Sequence, residues 1–268
     1  MNASFLNDMK QFTVLPPIDQ MSFISEELIS IKRNDLVPLL DNQTRLNLYA
    51  DQLIQAQSVL LSGIDTNLTQ KLNQIIVKII EQLSSSKKKL DQRKFNALQK
   101  WLGLDLEFSA GQVKYMYDLN YLIDEAKQLS RRLHIEIQKS ESRFQQATGL
   151  RTQMAKHIRA AEEFLYEYPS FVQNRHPLDN FADRLSKKIN SLQTLQTSND
   201  IALAQMQLTQ QLSLALLDRF NEAQQVLIPA WQYHLKQSSA QNSLKSTEDL
   251  DKSRDKLIQS LKKSLENK

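Results

Sequence analysis

From residue 119 onward the apolar positions recur every three or four residues. Leu119, Leu122, Ala126, Leu129 and Leu133 keep a 3-4-3-4 spacing, and Ala147, Leu150, Met154, Ile158, Ala161 and Leu165 resume it. That period predicts a long amphipathic helix from about 110 to 168. Ser109-Ala110-Gly111-Gln112 has capping-box spacing at its start. Gly149 lies within it, at a cost of about 1 kcal/mol relative to alanine. The segment 169–177, PSFVQNRHP, predicts a turn, and Asp179 caps a second long helix running to about residue 237. This arm contains neither glycine nor proline between Phe181 and Ile228. Two arms of nearly equal length joined by a short turn predict an antiparallel helical hairpin. Gln196 and Gln210 fall on its seam, where polar side chains can set register at a cost in affinity, whereas an ordinary solvent-facing helix is the plainer reading for most of the glutamines.

Upstream, Phe23, Ile24, Leu28 and Ile31 read as a short helix, and Pro38 suits the start of the next. Leu46, Tyr49, Leu53, Ala56 and Leu60 predict a further coiled-coil-like helix. Gly63 and Asp65 supply a stop and a new N-cap for a helix carrying Leu68, Leu72, Ile75, Ile79 and Leu83. The organisation expected is a flexible arm over 1–17, an N-terminal helical segment over 18–104, the hairpin over 105–237 and a charged, loosely held helix over 238–268. The fold class is all-α: an elongated, coiled-coil-like helical bundle built on the long antiparallel hairpin. Self-association through exposed helix seams is expected, because a two-helix hairpin rarely buries its whole apolar stripe.

Composition narrows the chemistry. Four glycines and six prolines in 268 residues are too few for a turn-rich β fold. Without cysteine, disulfides, thiolate metal sites and thiol redox chemistry are excluded. The opening MNASFLNDMKQF lacks the basic-then-apolar order of a signal peptide. The most apolar cluster, Ile75 to Ile80, is far short of the roughly 20 residues a membrane span needs. A cytoplasmic protein, with peripheral contact at the inner face of the membrane, is the expectation.

Charge is concentrated in one place. Residues 84–100 hold six basic residues and one acid, whereas the whole chain has a net charge of +4. Lys87, Lys88, Lys89, Arg93, Lys94 and Trp101 are candidates for contact with a partner or an anionic membrane surface. A solvated helix face is the plainer reading of the same residues. Nucleic-acid binding is not favoured, since no reader motif accompanies the charge. His134, His157, His176 and His234 form no local ligand pair, and the neighbours Glu162 and Glu163 point to different sides of a helix. No metal, cofactor or catalytic residue is expected, and no phosphate loop or nucleophile motif is found, so the chain reads as a non-enzyme.

The second arm ends in Ile228-Pro229-Ala230-Trp231. Pro229 and Trp231 can be a kink and a core side chain, or a hinge and a docking point. This stretch resembles the TelA family of toxic-anion (tellurite) resistance proteins. Leu203 to Gln210, LAQMQLTQ, stands where that family has PQIRLIQ, Asp218-Arg219-Phe220 where it has EKI, and Leu227 to Gln232, LIPAWQ, where it has TIPLWK. Upstream, Lys100-Trp101-Leu102-Gly103 and Ile158 to Glu163 are similar to further family pieces, so the resemblance spans about 85–268. Ala204 and Gln207 replace the family's proline and arginine, and Gln232 its lysine. The resemblance implies a bacterial stress-response protein supporting tolerance to tellurite or cell-envelope stress. Without thiols it would act indirectly, through a partner or the membrane surface. The alternative is a structural coiled-coil adaptor or membrane-surface scaffold unrelated to toxic anions.

Overall fold

The computed structural model describes residues 15–90, 104–171, 180–240 and 244–265. Among them the chain is all helical, without a strand. The helices are α1 (Ser25–Ile31), α2 (Val37–Asp41), α3 (Asp51–Leu60), α4 (Thr66–Leu90), α5 (Leu104–Phe171), α6 (Phe181–Glu222), α7 (Ile228–Ala240) and α8 (Leu244–Leu265). The chain forms two compact units, Met1–Ile64 with Lys139–Gln210, and Asp65–Gln138 with Gln211–Lys268.

The first unit holds the C-terminal half of α5 and most of α6. The Gln193 amide donates to Glu162 at 2.8 Å, Arg151 pairs with Asp200 at 2.7 Å, and the Gln210 amide donates to the Ser140 hydroxyl at 3.0 Å. Each step down α5 is matched by a step up α6, as an antiparallel hairpin requires. Toward its closed end, Phe181 stacks on Tyr168 and meets the edge of Phe164. The residues before Ile64 lie on this pair. Leu28, Leu36, Leu39, Leu46 and Tyr49 share a core with Met154, Ile158, Ala161 and Leu185. Lys156 to Glu27 and Lys188 to Asp51 tie the layer down at its rim.

The buried stripe on α5 is a continuous heptad seam. It runs Ala126, Ser130, Leu133, Ile137, Ser140, Phe144, Ala147, Arg151, Met154, Ile158 and Ala161, all buried. The stretch between Leu133 and Ala147, left open by the sequence reading, is bridged by Ile137, Ser140 and Phe144, and Ser130 and Arg151 are polar members of the same seam on either side of it. Gln196 and Gln210 are buried on the α6 seam, where their spacing puts them.

In the second unit α4 buries Leu72, Ile75, Ile76, Ile79 and Leu83. The Tyr115 hydroxyl donates to the Gln82 carbonyl, joining α5 to α4. Here α8 packs against α7 and α4, with Leu257 and Leu261 fully buried. The charged C-terminal helix is therefore held along one apolar face, its charges lying on the other, which corrects the expectation of a loose segment. Arg219 adds a hydrogen bond to the Lys263 carbonyl.

Three local readings change. The helix expected over 46–60 is broken at Ala50, in the left-handed region at φ 61°. Tyr49 turns inward to donate to the His157 carbonyl at 2.8 Å, and α3 restarts at Asp51. Its buried position is then Gln57, not Ala56. The long helix begins at Leu104, ahead of the Ser109 cap, and runs through Pro169 to Phe171. The expected turn residues His176, Pro177 and Asp179 lie outside the described residues, as do residues 1–14 of the expected arm. The Asp65 cap is as read: its carboxylate accepts from the Asn67 amide at 2.9 Å.

Two prolines follow one rule. Pro38 and Pro229 each come two residues after the end of a π-turn, Lys32–Leu36 and Ala223–Leu227. The Val37 amide donates to the Lys32 carbonyl and the Ile228 amide to the Ala223 carbonyl, five residues back. A helical proline cannot donate and its ring crowds the carbonyl four residues earlier. Widening the preceding turn relieves that crowding without ending the helix.

Gly149 is exposed, and a methyl group built on it meets nothing within 4 Å. Gly149→Ala is therefore expected to raise stability by about 0.5–1 kcal/mol, read from urea midpoints at constant slope.

Candidate functional site

The most unusual chemistry among the described residues is a polar layer inside the first unit. The 3-4 repeat of α5 places Arg151 on the seam, and that of α6 brings Gln196, Asn199 and Asp200 opposite it. Arg151 is 2% exposed. Its Nε and Nη2 donate to the two Asp200 oxygens at 2.7 and 2.8 Å, a bidentate pairing. Nη2 also donates to the Pro16 carbonyl at 2.8 Å, and Nη1 lies 3.6 Å from the Met21 sulfur. The Gln196 amide donates to Asp200, and the Asn199 side-chain amide donates to the Gln57 side-chain oxygen Oε1 at 2.9 Å. One guanidinium thus joins both hairpin arms and the segment before α1. The heptad register could have disclosed this layer, since it projects an arginine and three amides into a core.

A second ionic group lies further along α5. Lys32 Nζ reaches Glu167 at 2.9 Å and Glu163 at 3.2 Å. Burial works against the ammonium, but the two carboxylates outweigh it and raise its pKa. A raised lysine contributes stability below its ordinary range, and loses it only as strongly alkaline pH passes the raised value. Glu162 accepts from Gln193 instead, and Arg159 lies within ion-pair distance of both glutamates, 3.7 Å from Glu162 and 3.5 Å from Glu163. Burial, with Asp35 adding to it, pushes the Tyr49 phenol far above its usual range. These arrangements hold helices together. None presents an activated base or nucleophile to an open cleft.

The residues singled out by the sequence separate. Lys87, Lys88 and Lys89 lie in the last turn of α4. Arg93, Lys94 and Trp101 lie outside the described residues. Pro229 is exposed at the start of α7, whereas Trp231 is 1% exposed and part of the second unit's core. Leu227, Ala230 and His234 line an open crevice of about 290 Å³ with Asp249, Lys252 and Lys256 of α8. Its charges are mixed and it gathers no catalytic set. Of the other histidines, His134 meets Gln138, and His157 lies 3.5 Å from Asp35. No group of three or more candidate metal ligands occurs among the described residues. Among those residues no helix is long and apolar enough to cross a membrane.

No protein-family profile matches the chain. No solved structure matches it. Over 195 residues the chain is 27% identical to Protein KlaA of Escherichia coli, a similarity that covers 69% of this chain and 72% of that protein.

Proposed function

We propose that this chain is a non-enzymatic helical protein of the toxic-anion (tellurite) resistance type, acting through protein partners or a membrane surface. The observation that carries the reading is the ordered set of three blocks, Leu203 to Gln210, Asp218 to Phe220 and Leu227 to Gln232, which resemble the TelA family in order, the second and third also in spacing. The similarity to Protein KlaA supports a bacterial relationship. Composition supports the indirect mode: with no cysteine, the chain cannot reduce or sequester a tellurite oxyanion by thiols of its own.

Expression in a tellurite-sensitive bacterium is the test. Tolerance is expected to rise, while the purified protein leaves tellurite unreduced and shows no stoichiometric heat of binding. Unchanged tolerance would remove the reading, and tight binding in the calorimeter would remove the indirect mode.

The basic end of α4 supplies the membrane arm of this proposal. Full-length protein is expected to pellet with vesicles rich in anionic lipid at low salt and to be released at high salt. Lys87→Gln, Lys88→Gln and Lys89→Gln together are expected to weaken pelleting at least about tenfold, each basic residue contributing roughly 1 kcal/mol near the surface. Absence of pelleting at low salt would leave protein partners as the only route.

A second reading, a coiled-coil adaptor unrelated to toxic anions, is favoured by the long heptad seam on α5. Normal tellurite and envelope-stress tolerance in a deletion strain, with a stable partner in pull-downs, would support it.

A further inference from the structure

Two polar atoms in the core of the first unit are left over by the pairings of the Arg151 layer. Gln57 is 0% exposed and Gln196 1%. Each uses one end of its amide on a neighbour. The Gln57 oxygen accepts from Asn199, and the Gln196 nitrogen donates to Asp200. The other ends, Gln57 Nε2 and Gln196 Oε1, meet no hydrogen-bond partner among the described residues. A buried donor or acceptor left in that state is destabilising, and native interiors avoid it. Here the two leftover atoms are complementary, one a donor and the other an acceptor. They also belong to one small patch. Gln196 and Asn199 are three residues apart on the buried face of α6, and Asn199 holds the Gln57 amide.

We infer that Gln57 Nε2 and Gln196 Oε1 are the two walls of an internal binding site for a single water molecule. The chemistry of the pair selects the ligand. It must accept a hydrogen bond from Gln57 and donate one to Gln196, which water does at once. An anion would serve the Gln57 donor alone, and a metal cation the Gln196 oxygen alone. Either would also bring a net charge into a core where Arg151 and Asp200 already neutralise each other. A larger neutral solute would need an opening that side chains 0% and 1% exposed do not leave, whereas water enters interiors through transient local opening. The reach is suitable. Neighbouring places on a helix face lie about 5–6 Å apart at Cβ, and two ordinary hydrogen bonds through one oxygen span up to about 5.5 Å. Two polar partners also meet the minimum for a buried water. The water ties α3 to α6 beside the Arg151 clamp, where the layer before Ile64 meets the hairpin. The site does not depend on the toxic-anion reading.

Water–protein cross-relaxation NMR on the full chain is the test. The Gln57 side-chain amide protons are expected to show contact with a water held long enough to tumble with the protein. Gln145, exposed on α5, is the control and is expected to meet only freely exchanging water. Gln196→Met removes the acceptor while keeping a long unbranched side chain. It is expected to lower the Gln57 cross-peak at least about fivefold, since one of the water's two hydrogen bonds is lost. Wild-type protein with no held water at Gln57 would overturn the assignment, whether or not the variant folds. So would a direct bond between the two amides, seen as a scalar coupling across it, or a Gln57 cross-peak that survives Gln196→Met unchanged.

Discussion

Asp200→Ala is expected to destabilise the first unit by about 3 kcal/mol, at the lower end for breaking a buried ion pair. The reason is asymmetric. Asp200 is itself 30% exposed, so its removal costs little on its own account. Arg151 stays behind with two donors that no longer meet a carboxylate, in a core position that cannot rehydrate it. Hydrogen exchange is the direct readout, because protection of 139–171 and of the segment before α1 should fall together. Replacing both residues, Arg151→Met with Asp200→Leu, is expected to recover most of the loss in urea unfolding, since no unpaired charge remains. The recovery should be incomplete where Arg151 alone holds the Pro16 carbonyl. A loss below about 0.5 kcal/mol for Asp200→Ala, the range of an exposed pair, would show the layer to be wetter than its geometry implies.

Trp231→Ala is the second large effect, at about 3–5 kcal/mol, the range for emptying a large aromatic site. Trp231 is among the largest fully buried side chains described, and it lies three residues after Ile228, which is buried beside it in the sequence register. Trp231→Phe should cost roughly 1–2 kcal/mol, because part of the volume is kept. Thermal and urea unfolding of the two variants check this. A docking role makes the opposite prediction: unchanged stability with loss of a partner. Pro229, which faces solvent, is the member of this pair that a partner could reach. Comparing Pro229→Ala with Trp231→Ala in a pull-down therefore separates a contact from a collapse of the unit.

Both effects arise at places where residue pattern and structure part company. The helices of the hairpin were legible because leucine, isoleucine and alanine recur at heptad spacing over many turns. The polar layer was not, because Ser130, Ser140 and Arg151 look like interruptions in a list of apolar positions. They are in fact members of the seam, and their partners Asp200 and Gln210 lie far along the chain. The Gln196 and Gln210 positions were readable from spacing alone, but the proton acceptors that make their burial tolerable were not. The candidate sites divide in the same way. The basic run at 87–94 is visible as composition, and the Ile228 to Trp231 stretch as a motif. Only the structure shows that Pro229 faces outward and Trp231 inward.

Sequence by itself determined an all-α chain, the two long arms, the seam positions of the glutamines and the exclusion of thiol chemistry. Those properties depend on local propensity and on a period of three to four residues, which neighbouring residues set among themselves. Tertiary structure alone decided that the C-terminal helix is packed, that the helix over 46–60 breaks at Ala50, and that Arg151 clamps three segments. Each of these depends on partners outside its own stretch of chain, such as α4 for the C-terminal helix, His157 for Tyr49 and Asp200 for Arg151. The free energy of burying a leucine against α4, a tyrosine hydroxyl under α5, or a guanidinium against Asp200 belongs to a pair of sites, and no single stretch of chain contains it.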